Sequence, residues 1–407
     1  MGGIVEAGLR VDDLLLLIAL VLLVLRGDIV RVPRSSALRA YLLFLSISLF
    51  SSAWNGIMGR VGLVYSMIFV VRLLEYTVFY YLGYVLLESG VRVWRGLRIY
   101  FYFLCIVVLL QTARVLPTAS QFSLSRASGN TNGPYELAAV AAFFLCYFGY
   151  RERRRLNAAG AFVILLLTAS RITFLGTLVG FTMRFLSRTR SKAKAVAIVL
   201  LTVLLIGAGT NWLSSQTDED ADSNTLGSRL KSASSLVSVN YMGVFSSIPT
   251  YQTSDEYTTG MFLDSGWLAQ EVEADTSGVL RVFRWASLVK STASHFDSIL
   301  IGLGPSFGSA AVDGNYVRVF IETGLLGLIV FLVFLRRLLR QTTKRGGAFR
   351  EFILVLVVTA CFIDIFASYK TMLLLWLWNG MNEFEVRKRV RVNRVPGVQE
   401  REREGCS

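Results

Sequence analysis

The sequence has little charge and almost no histidine for its length. Only 17% of its 407 residues are Asp, Glu, Lys or Arg, and it has one histidine, His295. A soluble domain usually has about 25% charged residues. A single histidine speaks against histidine-based triads and cysteine-histidine metal sites, and neither a Walker loop nor a dinucleotide fingerprint is found. The sequence therefore predicts no metal site and no cofactor.

Cysteine is also scarce. Three of the four cysteines, Cys105, Cys146 and Cys361, lie in apolar runs, where a thiol usually behaves as a small hydrophobic group. Their spacing indicates neither a disulfide framework nor a zinc site. The acidic run at 218–222 lies in a stretch rich in Ser, Asn and Gly, so a solvated segment is favoured over a carboxylate metal site.

Apolar residues are abundant: 54% of the chain is hydrophobic and the mean hydropathy is +0.54. A bilayer requires every backbone amide to be satisfied internally, and long apolar runs without alternation favour helices over barrel strands. We expect an all-α polytopic membrane protein with about 11 transmembrane helices, within a range of roughly 10 to 12. They are predicted near residues 11–26, 37–54, 62–87, 97–113, 135–150, 155–169, 171–187, 194–213, 316–336, 351–367 and 370–384.

The basic residues predict the orientation of these helices. Alternate connections and the C-terminal tail hold 29 of the 42 Lys and Arg residues, and such an excess is typical of the cytoplasmic side. The one long connection, about 214–315, has twelve acidic and five basic residues and is predicted outside. The N-terminus is then outside and the C-terminus cytoplasmic, which leaves room for a further span before residue 1.

This layout divides the chain into four parts. Eight membrane helices lie in 1–213, an extracytoplasmic loop with an amphipathic helix near 278–292 occupies 214–315, and membrane helices 9 to 11 lie in 316–384. The basic tail at 385–407 contains the run RKRVRVNR. Next to a membrane helix, such a run favours contact with anionic lipid headgroups over nucleic-acid binding.

Several arginines on the predicted outer face are candidates for binding an anion. Arg171 lies between two apolar runs with almost no loop, so it is a site candidate or a side chain that reaches a lipid phosphate. Arg281 and Arg284 lie three residues apart on the amphipathic helix. Two guanidinium groups on one helix face can bind a diphosphate, or can anchor a surface helix to headgroups.

A polar, glycine-rich segment follows this helix. It runs from His295 through IGLGPSFGSA into the helix that starts near residue 316, and irregular polar backbone beside a membrane span usually lines a cavity. Glu322 is expected about two turns into that helix. An ionisable residue at such depth is a site candidate, and a capping or packing role is the alternative.

Four motifs together resemble one family. They are Ser170-Arg171 with Gly176, Arg281-x-x-x-Trp285, the turn Gly302-Leu303-Gly304, and Asn315-Tyr316 followed by Glu322-Thr323-Gly324-Leu325-Leu326-Gly327. The segment with Arg126, Gly133 and Pro134 adds a weaker match. The chain resembles the O-antigen ligase and O-antigen polymerase superfamily, whose members are polytopic enzymes with a GT-C-like helical fold.

One position favours polymerase over ligase. Ligases of this family have a histidine directly before the Asn-Tyr type pair, whereas this chain has Gly314, preceded by Asp313. An aspartate near this turn is similar to the Wzy-type polymerases. The resemblance therefore implies that the chain polymerises repeat units linked to undecaprenyl diphosphate into O-antigen, capsule or exopolysaccharide at the outer face of the bacterial inner membrane.

The resemblance also implies roles for individual residues. Arg171 and Arg281 would stabilise the diphosphate leaving group, and Asp313 would accept a proton from the attacking hydroxyl. Substrate-binding residues would be Arg126, Arg284, Asn315, Tyr316, Glu322 and His295, with His295 as the alternative base. Implied partners are the lipid-linked glycan, membrane lipids, a chain-length regulator and a flippase.

Two other functions remain open. A ligase would transfer the glycan from undecaprenyl diphosphate to an acceptor. A lipid-linked glycan flippase or another transporter would also have charges within apolar helices, but the sequence has no internal repeat and its polar features gather on one face. A purely structural scaffold is disfavoured because Arg171 and Glu322 are predicted at membrane depth.

Overall fold

The chain is described by a computed structural model over residues 11–118, 126–131, 133–188, 248–260, 276–308, 312–342 and 347–394. Regular structure in these ranges is entirely helical, and they contain no β-strand. The prediction of an all-α chain is confirmed for this part. The predicted helix at 194–213 and the acidic run at 218–222 lie outside the described residues.

Fourteen α-helices can be bounded in these ranges, with a π-helical turn at Tyr147–Glu152 and a 3-10 turn at Ile365–Ala367. The α-helices are α1 (Val11–Leu25), α2 (Asp28–Arg31), α3 (Ser36–Ile57), α4 (Leu63–Glu75), α5 (Val78–Glu88), α6 (Val93–Thr112), α7 (Pro134–Cys146), α8 (Arg155–Leu167), α9 (Arg171–Arg188), α10 (Thr276–Ala293), α11 (Phe296–Ile301), α12 (Asn315–Thr342), α13 (Gly347–Thr359) and α14 (Tyr369–Arg394). Helix α10 overlaps the segment 278–292, where the sequence predicts an amphipathic helix.

Four helical segments in the described ranges are long and apolar enough to cross a membrane. They are α3, the pair α4 and α5 taken together, α6, and α12 from Asn315 to Gln341. Two further apolar helices, Leu14–Leu25 and Arg155–Leu167, are shorter. These helices indicate a membrane protein, and the larger number of about eleven spans stays a prediction.

Helices α5 and α14 cross very closely because each has a glycine that faces the backbone of the other helix. A Cβ atom at Gly83 would lie 2.2 Å from the Leu377 carbonyl oxygen, and one at Gly380 would lie 2.0 Å from the Tyr80 carbonyl oxygen. Small residues at a crossing allow two helix backbones to approach in this way. The glycines therefore fix α14 against α5.

Aromatic rings fill the centre of the bundle. The Tyr41 ring centroid lies 5.1 Å from that of Phe334 and 5.0 Å from that of Trp376, and all three side chains are buried. Aromatic pairs at this separation add to the stability that comes from the buried area. This cluster joins α3, α12 and α14.

Two predicted helix ends are wrong, those of the helices at 351–367 and 370–384, whereas the span predicted at 62–87 agrees with the candidate span Leu63–Glu88. The first of the two helices ends at Thr359. Asn315 holds the residues after this end, because its N–H donates to the Ala360 carbonyl and its Oδ1 accepts from the Phe366 N–H. Helix α14 continues to Arg394, so the predicted basic tail begins inside a helix.

Helix α12 is broken where the Gly302 turn packs against it. Gly324 has φ 64° and ψ −165° inside the helix. The N–H groups of Leu303 and Gly304 donate to the carbonyls of Ile321 and Glu322 at 2.7 and 3.2 Å. The turn thus supplies hydrogen-bond donors to carbonyls beside the break, which a buried backbone requires.

The bundle has two chemically different ends. At the first, which we call the basic end, Arg337 donates to the Ser36 carbonyl and Arg31 pairs with Glu88. At the second, which we call the loop end, α3 finishes beside the Gly302 turn, and Asn55 Nδ2 donates to the Gly302 carbonyl at 3.1 Å. Helix α12 connects the loop end at Asn315 with the basic end.

Replacing Gly302 by alanine should destabilise the protein. Gly302 has φ 80°, and a Cβ there would lie 2.4 Å from the Glu322 carbonyl carbon. The backbone strain alone costs about 1 to 3 kcal/mol. We expect Gly302→Ala to lower the unfolding temperature in detergent. Gly96→Ala is the matched control, because a Cβ at Gly96 meets no atom within 4 Å. Equal unfolding temperatures for the two variants would contradict the close packing of Gly302 against Glu322.

Candidate functional site

The centre of the candidate site is an ion pair between α10 and the residues before α12. Arg281 Nε lies 2.6 Å from Asp313 Oδ2, and Trp285 Nε1 donates to the Asp313 carbonyl. The four-residue spacing puts Arg281 and Trp285 on one helix face. Burial alone would lower the pKa of Arg281, but Asp313 and Tyr135 raise it, so the guanidinium stays charged.

Gly314 has no room for a side chain. Its φ is 99°, and a Cβ would lie 2.9 Å from Trp285 Cζ2 and 3.2 Å from the Cys361 carbonyl oxygen. Any larger residue would have to move Trp285, which holds the backbone of Asp313. The geometry of the ion pair therefore depends on glycine at this position.

Tyr135 links this ion pair to Arg126. The Arg126 guanidinium carbon lies 5.0 Å from the centroid of the Tyr135 ring, and the Tyr135 hydroxyl interacts with both Arg126 and Arg281. Arg126 is only 4% exposed, and its Nε donates to the Thr168 carbonyl at 3.0 Å. One tyrosine at the start of α7 thus bridges two arginines that are far apart in the sequence.

Arg171 is the first residue of α9 and lies on the same side of the bundle as Arg126. The residues just before it are tied to the Arg126 segment, because the Ala127 N–H donates to the Leu167 carbonyl. Gly176 packs against the end of α13, where a Cβ would lie 2.8 Å from Thr359 Oγ1. Arg171 lies about 7 Å further along the helix axis toward the loop end. The motif Ser170-Arg171 therefore lies near the Arg126 segment.

A buried cation, Arg318, lies between two carboxylates. Its Nε and Nη2 are 2.7 and 2.6 Å from Asp364 Oδ2, and its Nη1 is 3.4 Å from Glu322 Oε1. Arg318 is 6% exposed, and a buried charge requires such partners. Glu322 Oε1 also accepts from the Ser306 N–H at 3.1 Å. Glu322 therefore positions the loop and Arg318.

Asp364 lies in the turn after α13 and connects this cluster with Asp313. Burial raises the pKa of Asp364 to about 6, against the opposing effect of Arg318, and Asp313 raises it further. The negative charge of Asp313 also attracts the Arg318 guanidinium. The two ion pairs, Arg281 with Asp313 and Arg318 with Asp364, therefore belong to one electrostatic network.

Several buried polar atoms around this network have no hydrogen-bond partner among the described residues. They are Arg126 Nη2, Arg284 Nε, Tyr257 Oη and Asp364 Oδ1. Burial raises the pKa of Tyr257 to about 12, while Arg284 and Arg318 oppose the shift. Most buried polar groups in proteins are hydrogen-bonded. Three of these atoms, Arg126 Nη2, Arg284 Nε and Tyr257 Oη, are donors that an anion could satisfy, whereas Asp364 Oδ1 is an acceptor.

We call this set the arginine site. It has five arginines and three carboxylates, which leaves two positive charges in excess at full ionisation, and the ion pairs join Arg281 and Arg318 to these carboxylates. The residues are Arg126, Arg171, Arg281, Arg284 and Arg318 with Asp313, Glu322 and Asp364, accompanied by Tyr135 and Tyr257. A site of this charge at the end of a helical bundle suits a dianionic group such as a diphosphate.

Three of the predicted site residues have hydrogen-bond partners outside this set. His295 is exposed, and its Nε2 lies 3.0 Å from Gln252 Oε1. The Asn315 Oδ1 accepts from the Phe366 N–H in the turn after α13, and the Tyr316 hydroxyl donates to the Val357 carbonyl at 2.9 Å. The polar side-chain groups of Asn315 and Tyr316 therefore hold α12 to α13.

A second ion pair fixes the helix that begins after His295. Arg60 Nη1 lies 2.7 Å from Asp297 Oδ2 and 3.0 Å from Ser298 Oγ. Hydrogen bonds from Arg60 hold the pKa of Asp297 below its usual value. This pair ties the connection after α3 to α11, which precedes the Gly302 turn.

Four important residues were missing from the predicted site. Arg318 could have been found from its four-residue spacing to Glu322, since such pairs face each other on a helix. Asp364 could not, because it follows an apolar run that reads as a continuous membrane helix. Tyr135 and Tyr257 carry no local signal, as their partners lie on other helices.

No protein-family model matches the sequence, and no curated protein matches it.

Replacing Arg318 by glutamine should destabilise the bundle strongly. The change leaves Asp364 and Glu322 without their shared cation, and breaking a buried ion pair costs about 3 to 5 kcal/mol. Thermal unfolding in detergent measures the effect. Arg95→Gln, at an exposed position on α6, should unfold close to wild type, and a similar small shift for Arg318→Gln would show that the cluster contributes little.

Proposed function

We propose that this chain is a membrane glycosyltransferase of the O-antigen polymerase type. It joins oligosaccharide repeat units carried on undecaprenyl diphosphate into a surface polysaccharide. The observation that carries the proposal is the arginine site, in which Arg126, Arg281 and Arg318 interact through Tyr135, Asp313 and Asp364 at one end of a helical bundle. The motif resemblance supports it, because the motif residues Arg171, Arg281 and Glu322 belong to this site.

The proposed orientation places the loop end outside the bacterial inner membrane. The distribution of Lys and Arg supports it, since the basic end holds Arg31, Arg151 and Arg337 and basic connections favour the cytoplasmic side. In the full proposal the chain has about eleven spans in a GT-C-like arrangement and a cytoplasmic C-terminus. A lipid-linked donor would then enter the arginine site from the outer leaflet.

In the proposed reaction, the acceptor hydroxyl oxygen bonds to the anomeric carbon of the donor sugar. The bond from that carbon to the phosphate oxygen breaks, and its electron pair leaves with the diphosphate. Arg281, Arg171 and Arg126 bind the charge that develops on the leaving group, which lowers the barrier where the bond breaks. Asp313 receives the hydroxyl proton.

The Arg281 and Asp313 pair couples donor binding to acceptor activation in this proposal. Arg281 Nε donates a hydrogen bond to Asp313 Oδ2 at 2.6 Å. A diphosphate has more negative charge than one carboxylate and competes for the same guanidinium. When Arg281 turns toward the diphosphate, Asp313 Oδ2 is released to accept the proton. The side chain of Asp313 is 38% exposed, so a sugar hydroxyl can reach it.

Gly314 supports polymerase over ligase. A Cβ at the position where the ligases have histidine would clash with Trp285 Cζ2, at 2.9 Å. The interrupted helix α12 favours a second candidate, a lipid-linked glycan flippase, since broken helices often line transport sites. The same experiment separates all three functions.

Removal of the Arg281 side chain should abolish polymer formation. The gene is deleted and complemented with wild type, Arg281→Ala or Arg281→Lys, and surface polysaccharide is resolved by length on a gel. Loss of one charge-stabilising group lowers the rate by about 100-fold or more, so Arg281→Ala should accumulate single repeat units. Arg155→Ala, at an exposed position on α8, should restore full ladders.

The other outcomes each identify a different function. Full-length glycan retained on its lipid carrier would indicate a ligase. Repeat units confined to the cytoplasmic leaflet would indicate a flippase. Unaltered ladders in the deletion strain would contradict all three. Immunoblotting of the membrane fraction shows whether each variant accumulates. If Arg281→Ala does not accumulate, Arg281→Lys tests the same position with the positive charge retained.

A further inference from the structure

A hollow of about 360 Å³ lies between α12 and α13. Its wall is apolar along most of its length, and Tyr316 closes it toward the loop end. The apolar side chains that line it are Leu332, Leu335, Leu339, Leu354 and Val357. Leu332 is 47% exposed, so the hollow opens to the side of the bundle.

Three arginines line the other end of the same hollow. Arg336 and Arg340 lie one turn apart on α12, and Arg350 faces them from α13. All three are exposed, and the hollow has no acidic side chain among its lining residues. The neighbouring Arg337 reaches the Ser36 carbonyl at 3.3 Å, which places this group at the basic end.

We infer that this hollow binds an anionic phospholipid. Its phosphate lies on Arg336, Arg340 and Arg350, and an acyl chain lies along the leucines of α12 and α13. Guanidinium groups bind phosphate oxygens in a bidentate way, and an apolar groove below a basic cluster is the shape that an acidic lipid fills. The hollow is open to the side, as a ligand arriving from within the membrane requires.

The break at Gly324 bends α12 back, so that the Tyr316 ring centroid lies 6.2 Å from that of Phe331 and Tyr316 lines the same hollow as Arg336. The carrier lipid of the proposed reaction is therefore a competing occupant, and the experiment below separates it from a phospholipid. The inference depends on α12 crossing the membrane and not on the polymerase activity.

Thermal unfolding of the purified full chain tests the inference. Phosphatidylglycerol or cardiolipin added to the detergent solution should raise the unfolding temperature of wild type, whereas phosphatidylcholine should not. The triple variant Arg336→Ser, Arg340→Ser and Arg350→Ser should lose this increase, with lipid affinity lower by about tenfold or more. Leu332→Trp, which fills the apolar part, should also reduce it.

A charge-matched control separates the site from general attraction. The triple variant Arg92→Ser, Arg95→Ser and Arg155→Ser removes three exposed positive charges at the starts of α6 and α8 and should keep the response of wild type. An equal loss in both triple variants would overturn the inference. It would also be overturned if inorganic phosphate stabilised the protein as well as the lipid does, or if only a polyprenyl diphosphate did so.

Discussion

The buried cation Arg318 holds the loop end of this protein together. Asp364 and Glu322 both face it, and the Val312 carbonyl accepts from its Nη2 at 3.2 Å. A charge removed from water in this way is stable only when every partner is in place. Three segments, the turn after α13, the middle of α12 and the residues before α12, are therefore located relative to one side chain.

Asp313 follows directly after Val312, so the position of the candidate site depends on this cluster. With the backbone fixed on one side by Arg318 and on the other by Trp285, the Asp313 carboxylate faces Arg281. Gly314 makes this arrangement possible because it adopts φ 99° in a space without room for a side chain. Conformational restriction, more than local charge, thus determines which arginine meets which carboxylate.

Helix α12 carries two groups of arginines with different surroundings. Its first turns carry the buried, carboxylate-balanced Arg318, whereas its last turns carry exposed arginines beside an apolar hollow. The break at Gly324 lies between them and is filled by the Gly302 turn. A substrate site requires donors that are fixed before binding, whereas a lipid site tolerates flexible exposed arginines. The different burial at the two ends of α12 agrees with these two requirements.

The sequence by itself determined the helical class, the membrane character and most helix positions, because these follow from local apolar length and composition. It also singled out Arg126, Arg171, Arg281, Arg284, Asp313 and Glu322 as site candidates, since charged residues next to apolar runs are conspicuous. Tertiary structure alone decided their partners. Arg318 and Asp364 are 46 positions apart, and Tyr135 meets Arg126 and Arg281 from another helix. Local patterns cannot encode such pairs, because they arise only when packing brings separate helices together.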